Sequence, residues 1–148
     1  MDIYQTLNDV LVHLFRDIMD IEQKAVAAQE FHDITSNDLH VIEAIGLGEP
    51  KNMSTIAREL SVTVGTLTIA MNSLVKKGFV TRERGREDRR VVYISLSEKG
   101  RKAYEYHARF HQDMIRGLSS ALTPEEMEVL VKALEKLTSW FSSFQPRE

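Results

Sequence analysis

The run Arg84-Gly85-Arg86-Glu87-Asp88-Arg89-Arg90 sets four guanidinium groups around one glycine and two acids. Guanidinium forks match phosphate oxygens and the acceptor edge of guanine, so the chemistry on offer is recognition of a polyanion. A second group lies upstream: Thr63, Gly65, Thr66, Thr68, Ile69 and Asn72 supply hydroxyls, an amide, a small residue for close approach and an apolar tip suited to a thymine methyl. Arg82 lies between the two groups. A third set is His107 and His111, four residues apart, which on a helix face one point as metal ligands must. The competing reading has these histidines hydrogen-bonded in a polar seam or at the surface. His13 and His32 have no such companions.

These groups need elements to aim them. Asn52 is placed to cap a short helix carrying Ile56, Ala57 and Leu60, which ends near Ser61. Val62 is expected to bury at the turn. Thr63 caps a second helix from about Val64 to Lys77, stopped by Gly78, with Leu67, Met71, Leu74 and Val75 facing the core. The opposite face carries the threonine group. Phe79-Val80 and Val91-Val92-Tyr93-Ile94 then read as strands flanking the arginine run, a basic hairpin. Helix, tight turn, helix and hairpin in that order form a winged helix-turn-helix, which lays one helix in a DNA major groove and a hairpin tip near the minor groove.

Charge supports the placement. From Lys76 to Lys102 there are ten Lys or Arg and four Asp or Glu, a net of +6 in a chain of −3, so the remainder carries −9. A positive surface on an acidic body attracts phosphate while the rest resists nonspecific contact. A merely solvated charged face is the alternative. With 43% hydrophobic and 28% charged residues, 148 in all, the chain has material for one packed domain. No run reaches the roughly 18 apolar residues of a membrane span. The acidic start Met1-Asp2 lacks a secretory n-region, and zero cysteine removes disulfides and thiol catalysis, which together point to the cytoplasm. No Gly-rich phosphate loop or nucleophile-base-acid constellation is present, so an enzyme is not expected. A protein-binding winged module is the nearer rival to DNA binding, and a steep salt dependence separates the two.

The ends of the chain are long amphipathic helices. Ile3, Leu7, Val10, Leu11, Leu14, Ile18 and Ile21 form one stripe over roughly seven turns. Thr123, with Glu126 three residues on and Pro124 at the first position, starts another, striped by Met127, Leu130, Val131, Leu134, Leu137, Phe141 and Phe144. Neither stripe can bury on a small winged domain alone, so a two-fold dimer is expected over a monomer with a helical cap. Thr35 with Asp38 starts a further helix carrying Leu39, Ile42 and Ile45, ended by Gly46-Leu47-Gly48-Glu49-Pro50. A connecting helix runs from about Ser97 to Ser120 and holds Ala103, Tyr104, Phe110, Met114, Ile115 and Leu118. A ligand where this helix meets the first two would act on the spacing of the reading helices. The fold class is mainly α with a small β wing. Residues 1–148 form one domain, 35–97 its DNA-binding part, and 1–32 and 98–148 its dimerisation helices.

The pattern I-A-x-x-L-x-V-T-x-G-T-L-T, then L-V-K-K-G-F-V, then D-R-R-V-V-Y-I-S-L-S-E-K-G-R, resembles the MarR family of bacterial transcriptional regulators over almost the entire chain. The resemblance implies a dimer on a pseudo-palindromic operator, with Asp88 orienting Arg90 into the minor groove, Arg89 on the backbone, and Thr66, Thr68, Ile69 and Asn72 reading the major groove. Ile69 departs from the Arg common at that place and shifts expected readout toward A·T-rich sites. The phrases F-H-D-I-T-S-N-D-L-H-V-I-E-A-I-G, E-D-R-R-V-V and R-F-H look like the subgroup that represses fatty-acid synthesis genes. That likeness implies an acyl chain on acyl carrier protein as corepressor. An apolar slot lined by Phe15, Met19, Ile42, Phe110 and Met114 would hold it, unless these residues are core. Zinc-responsive members of the family use a Glu and a His from early helices with a His-x-x-x-His pair, which Glu22, His40, His107 and His111 match in kind. The residues of their second zinc site are not present here. A zinc-responsive regulator of metal uptake genes is therefore the alternative.

Overall fold

The computed structural model describes residues 2–27 and 31–144. Residues 28–30 of the expected N-terminal dimerisation segment and 145–148 of the C-terminal one lie outside the described residues, as does Met1. The elements in chain order are α1 (Ile3–Ala27), α2 (Ser36–Ile45), β1 (Lys51–Asn52), α3 (Met53–Leu60), α4 (Val64–Lys77), β2 (Val80–Arg84), β3 (Val92–Leu96), α5 (Glu98–Ala121) and α6 (Pro124–Ser143). The fold is mainly α with a small antiparallel wing. Residue contacts divide the chain into Met1–Phe110 and His111–Glu148, with α5 running through the boundary.

Helix ends fall where side chains can satisfy the free amides. Thr35 and Asp38 form a reciprocal capping box at α2, and Thr123 and Glu126 form another at α6, behind Pro124. The Asn52 carboxamide oxygen accepts from Thr55 N at 2.8 Å and starts α3. Thr63 Oγ1 accepts from Thr66 N at 3.1 Å and starts α4. Gly78, at φ 86°, ends α4 in the left-handed region, where a side chain would be strained. Ser61 takes the same region at φ 54° without being glycine, and its N–H closes α3 on Ala57 and Arg58. The turn it makes is what throws α4 across α3.

The core of the first unit is built from the inward faces these caps define: Leu39, Ile42 and Ile45 of α2, Ile56 of α3, Leu67, Met71 and Leu74 of α4, Phe79 just before the hairpin and Ile94 of β3, all fully buried. Val75 packs against this cluster. Val62 does not bury as expected: its side chain is 39% exposed. Its N–H is bonded to Ala57 O, so the backbone of the turn, not its side chain, does the anchoring.

The sheet has the order β1-β3-β2, antiparallel throughout. Lys51 and Asn52 pair with Ile94 and Tyr93, a strand the sequence reading lacks. The hairpin is also shifted from the β-prone runs. Phe79 and Val91 lie outside the strands, while Arg82, Glu83 and Arg84 lie inside β2, opposite Ile94, Tyr93 and Val92. Cross-strand pairing overrides the local preference of these polar residues. At the wing's base, Gly100 is buried so closely that an added Cβ would run into the Phe79 carbonyl oxygen. The same region ties α4 down. Lys77 Nζ donates to Asp38 Oδ2 at 2.9 Å, and Lys99 Nζ donates to Lys77 O at 2.9 Å while lying 4.3 Å from the Phe79 ring centre. Two cations of the basic run, both partly buried, thus help to hold the fold together.

Candidate nucleic-acid interface

On α4, burial of Leu67, Met71 and Leu74 leaves the opposite face to solvent, and there Gly65, Thr66, Thr68, Ile69 and Asn72 are all exposed. Ile69 is 75% exposed, the apolar tip standing clear of the surface. Gly65 meets only Thr63 Oγ1, at 3.9 Å, where a Cβ would sit, so nothing within the chain demands glycine. Two hydroxyls are already engaged. Thr63 caps the helix and donates to Thr66 Oγ1 at 3.0 Å, and Thr68 donates to Val64 O at 2.8 Å, keeping lone pairs but not its proton for a ligand. Thr63 therefore sets the helix N-terminus more than it reads from it.

The wing is ordered from inside. Gly85 N donates to Val91 O at 2.8 Å, and a Cβ on Gly85 would collide with the Asp88 carbonyl, so glycine is required for the tip to close. Asp88 then takes three N–H groups of Arg90: Nε on Oδ1 at 3.1 Å, Nη2 on Oδ2 at 3.0 Å, and the backbone N on Oδ1 at 3.0 Å. This fork aims an arginine whose side chain is 91% exposed. The side-chain contact first, and the backbone N–H second, hold the Asp88 carboxyl below its ordinary 3.8, and the Arg90 guanidinium is raised in turn. Arg84 and Arg89 are also exposed on this hairpin. Arg82, one strand position nearer the body than Glu83, bonds across to Asn72 of α4. Both residues belong to the interface expected from the sequence, but no local pattern marks that bond.

The histidine and acyl-slot residues distribute less evenly. Within the first unit, Glu22 and His107 are both buried, with His107 Nδ1 2.9 Å from Glu22 Oε1 and Nε2 3.6 Å from Glu43 Oε2. His40 stands edge-on, its ring centre 6.4 Å from that of His107. His111 follows one turn later on α5, partly exposed. Of the residues expected to line an acyl slot, Ile42 is sealed in the core whereas Phe15 is 70% exposed; Met19 and Phe110 are half-buried, and Met114 belongs to the second unit.

A capped helix with a small, hydroxyl-bearing outer face, set beside a hairpin that presents oriented arginines, defines a winged helix-turn-helix DNA-binding protein. The family model for MarR matches residues 32–91. The structure of FabT from Streptococcus pneumoniae in complex with DNA is 34% identical, covering 96% of this chain and 99% of that one with a TM-score of 0.89. A mutant MarR from E. coli complexed with operator DNA is 26% identical, with 93% and 99% covered and a TM-score of 0.68. The HTH-type transcriptional regulator PchR of Bacillus subtilis is 29% identical over 82% of this chain and 75% of its own. The chain belongs to the MarR family and is a DNA-binding transcriptional regulator, not an enzyme.

Proposed function

We propose that this regulator is a cytoplasmic homodimeric repressor of fatty-acid synthesis genes, binding a pseudo-palindromic operator more tightly when an acyl chain on acyl carrier protein is bound. The observation that carries this reading is the likeness to pneumococcal FabT in complex with DNA along nearly the whole of both chains. The apolar residues left exposed on α1 (Ile3, Leu7, Leu14) and, separately, on α6 (Val131, Leu134, Phe141) support the dimer, because helices of this length do not keep such stripes in water. Residues 35–97 act as the reading part and the terminal helices as the dimer core. The test is a gel-shift titration of a fatty-acid synthesis promoter with and without long-chain acyl-acyl carrier protein. A tighter complex with the acylated carrier is expected, and unchanged affinity would exclude the corepressor.

A second reading, a zinc-responsive regulator of metal uptake genes, draws on Glu22 and His107, which lie side by side in the buried interior with oxygen and nitrogen donors suited to zinc. If zinc raises the thermal midpoint of the unaltered protein and not of His107→Ala, a site exists. Without zinc uptake, the pair is a polar seam between α1 and α5.

A further inference from the structure

Gly78 turns the chain so that β2 returns beside α4, bringing Arg82 alongside Asn72. Arg82 Nη1 donates to Asn72 Oδ1 at 2.7 Å, the length of a charge-assisted bond. Both side chains are exposed, and Asn72 sits one turn beyond Thr68 and Ile69 on the outer face of α4. The bond decides which end of the amide is on offer. A free asparagine presents a donor and an acceptor together and so pairs with adenine through N6 and N7. Here the acceptor end is turned into a guanidinium. A base amino group approaching the second lone pair of Oδ1 would meet Arg82's own N–H groups, partial positive against positive. A base acceptor would meet donors from both residues, the Asn72 amide NH2 and the N–H groups Arg82 has left.

We propose that Asn72 and Arg82 form one donor-only reader that selects guanine, whose major-groove edge carries two acceptors and no donor, at one position of the operator. Ile69 by itself points to A·T-rich sites. The guanidinium absent from that helix position is supplied by strand β2 instead, onto the next turn of α4. Specificity at this position therefore belongs to the wing strand and the helix jointly.

The experiment selects operators from a random duplex pool with the full-length protein and with Asn72→Ala, Asn72→Asp and Arg82→Met. Wild-type affinity is then measured on duplexes carrying 7-deazaguanine in place of each selected guanine in turn. The wild type is expected to select guanine at a position that Asn72→Ala and Asn72→Asp relax and that Arg82→Met, with its asparagine freed, opens to adenine. Asn72→Asp is informative because it keeps the contact to Arg82 but has no N–H to offer. Loss of N7 at that guanine should weaken wild-type binding on the order of tenfold, as for loss of a specific base contact. The same replacement should change Asn72→Ala binding by less than about twofold, since that variant no longer discriminates at the position. Selection of adenine at the position Asn72→Ala relaxes would overturn the proposal, as would relaxation of no position by that variant. Indifference of the wild type to 7-deazaguanine at every selected guanine would do so too.

Discussion

Asp88 spends its carboxylate on one neighbour, and the consequence is testable in two ways. Because the Asp88–Arg90 fork lies at the surface, it contributes little to folding; its effect is on where the guanidinium points. Asp88→Ala should lower operator affinity about tenfold, the scale of one lost oriented contact, while leaving the thermal midpoint nearly unchanged. Calorimetry and fluorescence anisotropy on the same sample check both halves. The pH sign follows from the lowered carboxyl. Whatever the fork contributes is present above the ordinary 3.8 and is lost only as pH falls through the lower folded value, so Arg90 stays oriented across the neutral range. A carbon-detected titration of Asp88 should give a midpoint below 3.8. A midpoint at or above it would mean that the fork is not populated. Gly65 makes the complementary case. Ala there restricts the unfolded chain, worth about 0.4–1 kcal/mol, and should raise the thermal midpoint by ~1–4 °C. If the DNA backbone approaches this turn, the same methyl should weaken operator binding, separating a demand of the ligand from a demand of the fold.

At the scale of elements, the wing stands on one close contact. Gly100→Ala pushes a methyl against the Phe79 carbonyl at the foot of α5, where backbone cannot yield cheaply, and should cost roughly 1–3 kcal/mol in urea unfolding. An unchanged midpoint would show that the α5 N-terminus shifts freely. The elements themselves were largely legible in the sequence because their ends are local. Thr35 with Asp38, Asn52, Thr63 with Gly78, and Thr123 with Glu126 each announce a boundary within four residues of chain or mark a stop directly. The candidate interface was legible as a set of residues for the same reason. Its couplings were not. β1 is two residues long and too short to show an alternation, and its partner strand lies some forty residues away. The Lys77 to Asp38 pair spans 39 residues, and the Arg82 to Asn72 bond depends on how tightly Gly78 folds the chain back. Val62 went the other way, because apolarity at a turn says nothing about which side of the turn faces water.

At the scale of the whole molecule, the apolar stripes have to be covered by something. If a second copy covers them, sedimentation at micromolar concentration gives a species of twice 17.0 kDa. Phe141→Asp on the exposed face of α6 should then shift it to the single-chain mass and weaken operator binding, since the two reading helices no longer engage together. A chain that remains at 17.0 kDa before any substitution would require another cover for those helices. Asn52 adds a constraint of a different kind. It is at once the last residue of β1, paired across to Tyr93, and the cap whose side chain starts α3. Sheet and helix-turn-helix therefore share a residue, and the hairpin paired to it is not an interchangeable part. A wing transplanted from a relative must bring a compatible Lys51-Asn52 with it, and over generations the two pieces can drift only as a matched set.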